Sequence, residues 1–217
     1  MIYDTTIALG RYWHLRDWWK LIGDTFREYV DSNVKLFDDK KAELDKRYEE
    51  CQDESEFANI GMEEKEIYNY WLLRGALNAG IMYIYSQFER KMIELAKLVD
   101  SRYIPPRIGV IVDAYNSIKA NSELNLCSSS GSSWNYILDF LQIRNVCVHY
   151  DGVAYEQRHI DAVRRLRQFL ETTEQRDGSL EICLTRESLF WILDKMTYFY
   201  GLLIDELEKY ENKKEEP

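Results

Sequence analysis

Residues 70–99 read YWLLRGALNAGIMYIYSQFERKMIELAKLV. Tyr70, Leu73, Leu77, Ile81, Ile84, Phe88, Met92, Leu95 and Val99 recur by threes and fours, at an average step near 3.6, the period of an amphipathic α-helix. This is the strongest periodic signal in the chain. A single long apolar stripe must be covered by other helices. Gly75 and Gly80 would weaken an isolated helix, so they predict close packing against a neighbour.

The flanking segments repeat the pattern. Tyr12, Leu15, Trp19, Ile22, Phe26, Tyr29, Asn33 and Phe37 mark a long N-terminal helix with a weaker tail to Tyr48, and residues 38–56 are densely charged. Trp13, Trp18 and Trp19 crowd its start, at a spacing that favours core or interface over base stacking. Gly61 is expected to break this helix from the second, which Glu63, Glu64 and Glu66 would open. Pro105-Pro106 ends the second helix, and residues 108–119 form a short third. A Ser-rich loop over 120–133 delivers a helix from Trp134 to Tyr150, with Ser132 or Ser133 as cap. Another helix is expected over Tyr155 to Thr172, then a turn at Asp177-Gly178 and a short extended piece at 181–184. Thr185 would cap a last helix with stripe Leu189, Ile192, Met196, Phe199, Leu203, Leu207 and Tyr210. The fold class is all-α: an antiparallel helical bundle with a long N-terminal helix and a short extended segment before the last helix. We read one domain over 1–217, with a core of about 63–210 and an N-terminal helical extension of about 1–60.

Composition agrees with a folded globule: 46% of the 217 residues are hydrophobic and 14% aromatic, with only 3 Pro and 10 Gly. Cys51, Cys127, Cys147 and Cys183 lack metal-ligand spacing, and reduced thiols suit an intracellular protein. No signal-peptide pattern opens the chain, and the longest apolar stretch is too short for a bilayer. A cytoplasmic protein is expected, without cofactor, metal or membrane. The net charge of −10 disfavours polyanion binding overall, although phosphates respond to the local field.

Chemistry concentrates in Gln142-Ile143-Arg144-Asn145-Val146-Cys147-Val148-His149-Tyr150-Asp151-Gly152. Arg144, Asn145 and His149 stand in an otherwise apolar run, where an unsatisfied polar group costs roughly 1–3 kcal/mol. On a helix Asn145 and His149 share a face, and Gly152 supplies the left-handed end. A fixed cation beside an imidazole suits phosphate chemistry. The helix itself is apolar nearly all round, so it belongs inside the bundle or between two copies.

Arg144-Asn145-x-x-x-His149 resembles the Arg-x(4–6)-His signature of the HEPN superfamily (higher eukaryotes and prokaryotes nucleotide-binding domain), in its fuller form with Asn after the Arg. With that Asn, chance supplies about 0.03 such matches in a chain of this composition. The resemblance implies a dimerising helical bundle that cleaves RNA without a metal ion, as a toxin or anti-phage defence component. Its implied partners are a second copy, an RNA substrate and an antitoxin or defence-system protein. It implies catalytic Arg144, Asn145 and His149, with 2′,3′-cyclic phosphate products. Tyr85-Ser86-Gln87-Phe88-Glu89-Arg90 resembles the family helix whose polar residue pairs with the motif arginine, which makes Glu89 the expected partner of Arg144. One family branch carries a Tyr two residues after the His; here Tyr150 follows directly and Asp151 holds that place.

Five Arg against three acidic residues between Gln142 and Gln168 give a local +2, and Arg158, Arg164, Arg165 and Arg167 form the expected RNA-facing patch. The rival reading is a catalytically inactive interaction or nucleotide-binding module, in which Arg144, Asn145 and His149 are a hydrogen-bonded pin and the histidine ties down helix-end carbonyls. A P-loop is excluded, because no Gly-Lys-Ser/Thr follows the Ser-rich loop.

Overall fold

The computed structural model describes residues 2–66, 72–122 and 130–215. The chain is mostly helical, and its all-α class is the one the stripes predict. Its described elements run α1 (Ile2–Glu50), α2 (Glu54–Glu66), α3 (Leu72–Val99), α4 (Val110–Asn121), α5 (Ser130–His149), β1 (Val153–Ala154), α6 (Gln157–Leu166), β2 (Glu171–Glu174), β3 (Leu180–Cys183) and α7 (Arg186–Glu215). No helix among the described residues is long and apolar enough to cross a membrane.

The chain divides into two compact units. One comprises Met1–Asp24, Tyr83–Leu141 and Ile192–Pro217; the other comprises Thr25–Met82 and Gln142–Trp191. In the first, α1 and α7 run antiparallel. Tyr12 Oη donates to Glu211 Oε1 at 2.8 Å and Trp19 Nε1 to Thr197 Oγ1 at 2.9 Å, so numbers rise along one helix as they fall along the other. Between these helices, α3, α4 and α5 contribute to an aromatic core. Trp19 contacts Phe88 and Tyr200, with centroids 5.7 and 5.5 Å apart, and Trp134 stacks on Tyr115 at 3.9 Å and reaches Phe199 at 5.4 Å. Trp19 is thus core, whereas Trp18 stays partly exposed with the Lys91 ammonium over its ring. The side chain of Trp13 lies outside the described residues.

In the second unit α1 again packs on α3 and α7. A Cβ on Gly80 would stand 3.4 Å from Phe26 and from Leu189, the close approach expected there. At Gly75 nothing among the described residues lies within 4 Å of such a Cβ. The first helix ends at 51–53, not at Gly61, because Asp53 caps a new helix: its Oδ1 accepts the Ser55 N–H at 2.8 Å. Gly61 and Glu63 to Glu66 therefore lie inside α2.

The largest departure follows the motif helix. The helix expected through Thr172 stops at Leu166, and residues 171–174 instead form β2. Together β1, β3 and β2, in that spatial order, make a three-stranded antiparallel sheet with Val153 opposite Glu181 and Thr173 opposite Glu181 on the other edge. The predicted turn joins β2 to β3: Gly178 has φ 81° and its N–H donates to Gln175 O at 3.0 Å. Thr185 caps α7 as expected, with reciprocal bonds between Thr185 and Ser188. Ser133, by contrast, lies within α5, which starts at Ser130; the side chain of Ser132 lies outside the described residues.

Candidate functional site

Helix α5 carries its most buried face on Ile137, Phe140, Ile143, Val146 and Cys147, each 5% exposed or less. That leaves Leu138, Leu141, Asn145 and Val148 on a second, half-buried stripe, with Arg144 half-buried beside it and His149 exposed at the helix end. The stripe that carries the motif is therefore the less covered one.

The helix ends by the predicted device. Asp151 and Gly152 both take left-handed backbone, φ 48° and 79°, and the N–H groups of Tyr150 and Gly152 both donate to Val146 O, at 3.1 and 3.0 Å. The bend then feeds β1, where Ile182 N–H donates to Gly152 O at 2.8 Å. Arg74, from α3, completes the joint: its Nη2 donates to Asp151 O, and its Nη1 pairs with Glu181 Oε1 at 3.2 Å. Only 16% of the Arg74 side chain is exposed. Arg74 and Glu181 were not singled out from sequence. A lone cation in the apolar run of α3 was the available signal, but one of its partners is a backbone carbonyl, which no residue type marks, and the other, Glu181, is 107 residues away.

Three of the expected site residues come together. Arg144 Nη1 donates to Asn145 Oδ1 at 3.0 Å and lies 3.3 Å from His149 Nε2. A guanidinium has no acceptor, so as a hydrogen bond this contact has Arg144 donating and His149 Nε2 accepting. Gln142 Oε1, a turn earlier, is buried without a hydrogen-bond partner among the described residues. Tyr150 turns elsewhere: its hydroxyl donates to Glu156 Oε1 at 2.7 Å, and that bond raises its pKa above the ordinary tyrosine value. Behind it lies His159, 1% exposed, its ring 5.1 Å from that of Tyr150 and both ring nitrogens without hydrogen-bond partners among the described residues. Burial depresses the His159 pKa, and the Glu156 carboxylate opposes that shift.

Arg158, Arg164, Arg165 and Arg167 are all exposed, on and just after α6, while Ala162, Val163 and Leu166 are buried. Arg158 pairs with Glu156 at 2.7 Å. Glu89 is half-buried on the part of α3 in the first unit, and Arg144 belongs to the second. Among the described residues no group of three or more His, Cys, Asp or Glu is placed to hold a metal ion.

No family model, curated protein or solved structure matches the chain. The site is therefore read from its own chemistry: a held guanidinium, an amide and a reachable imidazole at the end of one helix. Such a group can bind a phosphate and move a proton at its oxygen.

Proposed function

We propose that the chain is an endoribonuclease of the HEPN type, acting without a metal ion in a toxin or anti-phage defence setting. The observation that carries this reading is the Arg144–His149 contact of 3.3 Å, with the histidine exposed and the arginine half-buried. At this helix end Val146 O accepts from two backbone N–H groups and Tyr150 O from Val153 N–H, and just beyond it Asp151 O accepts from Arg74. None of these bonds comes from His149, which favours a reactive role over a structural pin.

In the proposed reaction a phosphate enters and draws the Arg144 guanidinium from the imidazole. His149 Nε2 then takes the 2′-hydroxyl proton, O2′ attacks phosphorus and the P–O5′ bond breaks. The products are a 2′,3′-cyclic phosphate and a 5′-hydroxyl. Arg144 stabilises the charge on the pentavalent phosphorane, and Asn145 orients Arg144 or the phosphate. The leaving O5′ needs a proton, and one copy offers one suitable histidine. The partner's His149, as imidazolium, supplies it in a two-fold dimer. The half-buried stripe of Leu138, Leu141, Asn145 and Val148 gives a second copy an apolar surface to cover. Arg158, Arg164, Arg165 and Arg167 hold the RNA strand, and an antitoxin or defence-system protein would control the activity.

Incubation of RNA with wild type and with His149→Ala tests this. The proposal expects cleavage to fall by roughly 10²–10⁴-fold in a variant that melts like wild type. Equal rates for the two proteins would remove His149 from the chemistry.

A further inference from the structure

Beyond the helix end, β1 and the β2–β3 turn border an open, shallow cleft of about 460 Å³, lined by Val153, Tyr155, Gln175, Arg176, Asp177 and Ser179. That volume falls within the roughly 300–1,000 Å³ of small-molecule sites. Its floor is firmly set. Asp177 Oδ1 accepts from Ser179 N–H at 3.0 Å and from Ser179 Oγ at 2.7 Å, and Gln175 N–H donates to Ser179 O at 2.9 Å. The two Ser179 bonds hold the Asp177 carboxyl below the usual carboxylate range, so it is an anion at neutral pH. Gln175 Nε2 donates to Glu181 Oε2 at 2.9 Å, which leaves its carbonyl oxygen to accept. Tyr155 is 59% exposed, and Arg176 is exposed with no ion pair among the described residues.

The cleft is wired to the motif. Glu181 takes Gln175 on one oxygen and Arg74 on the other, and Arg74 in turn holds Asp151 O, two residues after His149. Val153 follows His149 by four residues, so their Cα atoms lie no more than about 14 Å apart by chain length alone. A strand with a phosphate at His149 could place a base one or two nucleotides away in the cleft.

We propose that this cleft is the base-recognition subsite of the RNA-cutting site and that it selects guanine. The inference rests on the reading of the motif as an RNA-cutting one. Tyr155 offers a ring for stacking, as single-stranded RNA recognition commonly requires. The second oxygen of Asp177 and the carbonyl of Gln175 are two acceptors. Guanine alone among the four RNA bases presents two adjacent N–H donors, N1–H and the N2 amine, on its pairing edge. Arg176 meets the attached phosphate.

Titration of the full chain with guanosine, adenosine, cytidine and uridine 5′-monophosphates, followed by NMR shifts, tests the cleft independently of cleavage. The proposal expects GMP to bind at least tenfold more tightly than AMP. Tyr155→Ala should weaken GMP roughly 5- to 150-fold, the range of one base–aromatic stack, while Tyr155→Phe keeps it. Asp177→Asn should abolish the preference for GMP, and Arg176→Ala should weaken GMP but not guanosine. Equal binding of GMP and AMP, or shifts confined to residues outside the cleft, would overturn it. In parallel, the RNA cut sites of wild type and Asp177→Asn should differ by loss of a nearby guanosine. RNA cut with no such preference and no GMP binding overturns the subsite and spares the nuclease. GMP binding without RNA cleavage supports the guanine site and overturns only the cutting.

Discussion

Replacing Gly152 by alanine tests the joint on which the site is built. Gly152 has φ 79°, where an L side chain costs about 1–2 kcal/mol. An added Cβ would also stand 3.1 Å from Ile182 O and collide with Arg74 Nη2. Arg74 must then leave Asp151 O, and a hydrogen bond to a charged group contributes about 1.5–3 kcal/mol. The two terms together predict a loss of about 2.5–5 kcal/mol in a denaturant melt. Gly178 is the internal control, because its φ is 81° yet nothing among the described residues lies within 4 Å of a Cβ there. Gly178→Ala should cost only the backbone share, about 1–2 kcal/mol. On an Arg74→Met background the cost of Gly152→Ala should fall toward that smaller figure, since the collision with the guanidinium is gone and only the 3.1 Å approach to Ile182 O is added to the backbone share. If Gly152→Ala and Gly178→Ala cost the same to within about 0.5 kcal/mol, the Arg74 clamp contributes nothing and the reasoning fails.

His159 predicts a pH dependence of stability. Its buried ring resists protonation, so below the ordinary value of 6.5 the unfolded chain binds a proton that the folded one refuses. Stability should be complete above about pH 6.5 and fall as pH drops from there, and His159→Phe should flatten that slope; Tyr150, Glu156 and Arg158 should be left unchanged in the comparison. A slope between pH 7 and 5 that the variant retains would assign the effect to another group. Thr185→Ala removes the Oγ1 that accepts Ser188 N–H at 3.1 Å and should cost about 0.5–2 kcal/mol, read by the same melts. Arg144→Ala should lower RNA cleavage by about 10²–10³-fold in single-turnover assays, and Arg144→Lys, which keeps charge but not the planar fork, should recover only part of it.

Residues whose role is set by local spacing were legible before the fold was known. The stripe of α3 from Leu73 to Val99 (Tyr70 lies outside the described residues), the Gly152 helix end and the Thr185 cap each depend on neighbours a few positions away, and each stands where the spacing put it. Asp53 shows the limit of local spacing: in a densely charged stretch nothing marks one Asp as a cap, while Gly61, which reads as a helix breaker, is simply tolerated inside α2. The sheet was hidden because β2 is Glu171-Thr172-Thr173-Glu174, exposed throughout, so no alternation marks it and its pairing with β3 decides it. Of the motif stripe, the sequence marks the apolar positions on α5 but not which of two greasy faces is covered. Arg74 and His159 were invisible as site neighbours for a related reason: one binds a carbonyl 77 residues away, and the other is defined by what it lacks.

The most direct test of the nuclease reading is an analysis of RNA ends after incubation with the purified protein in excess EDTA. The account predicts fragments ending in 2′,3′-cyclic phosphate and beginning with a 5′-hydroxyl, formed by wild type and absent with a folded His149→Ala variant. Intact RNA in both, or cleavage that appears only when a divalent ion is restored, would contradict it.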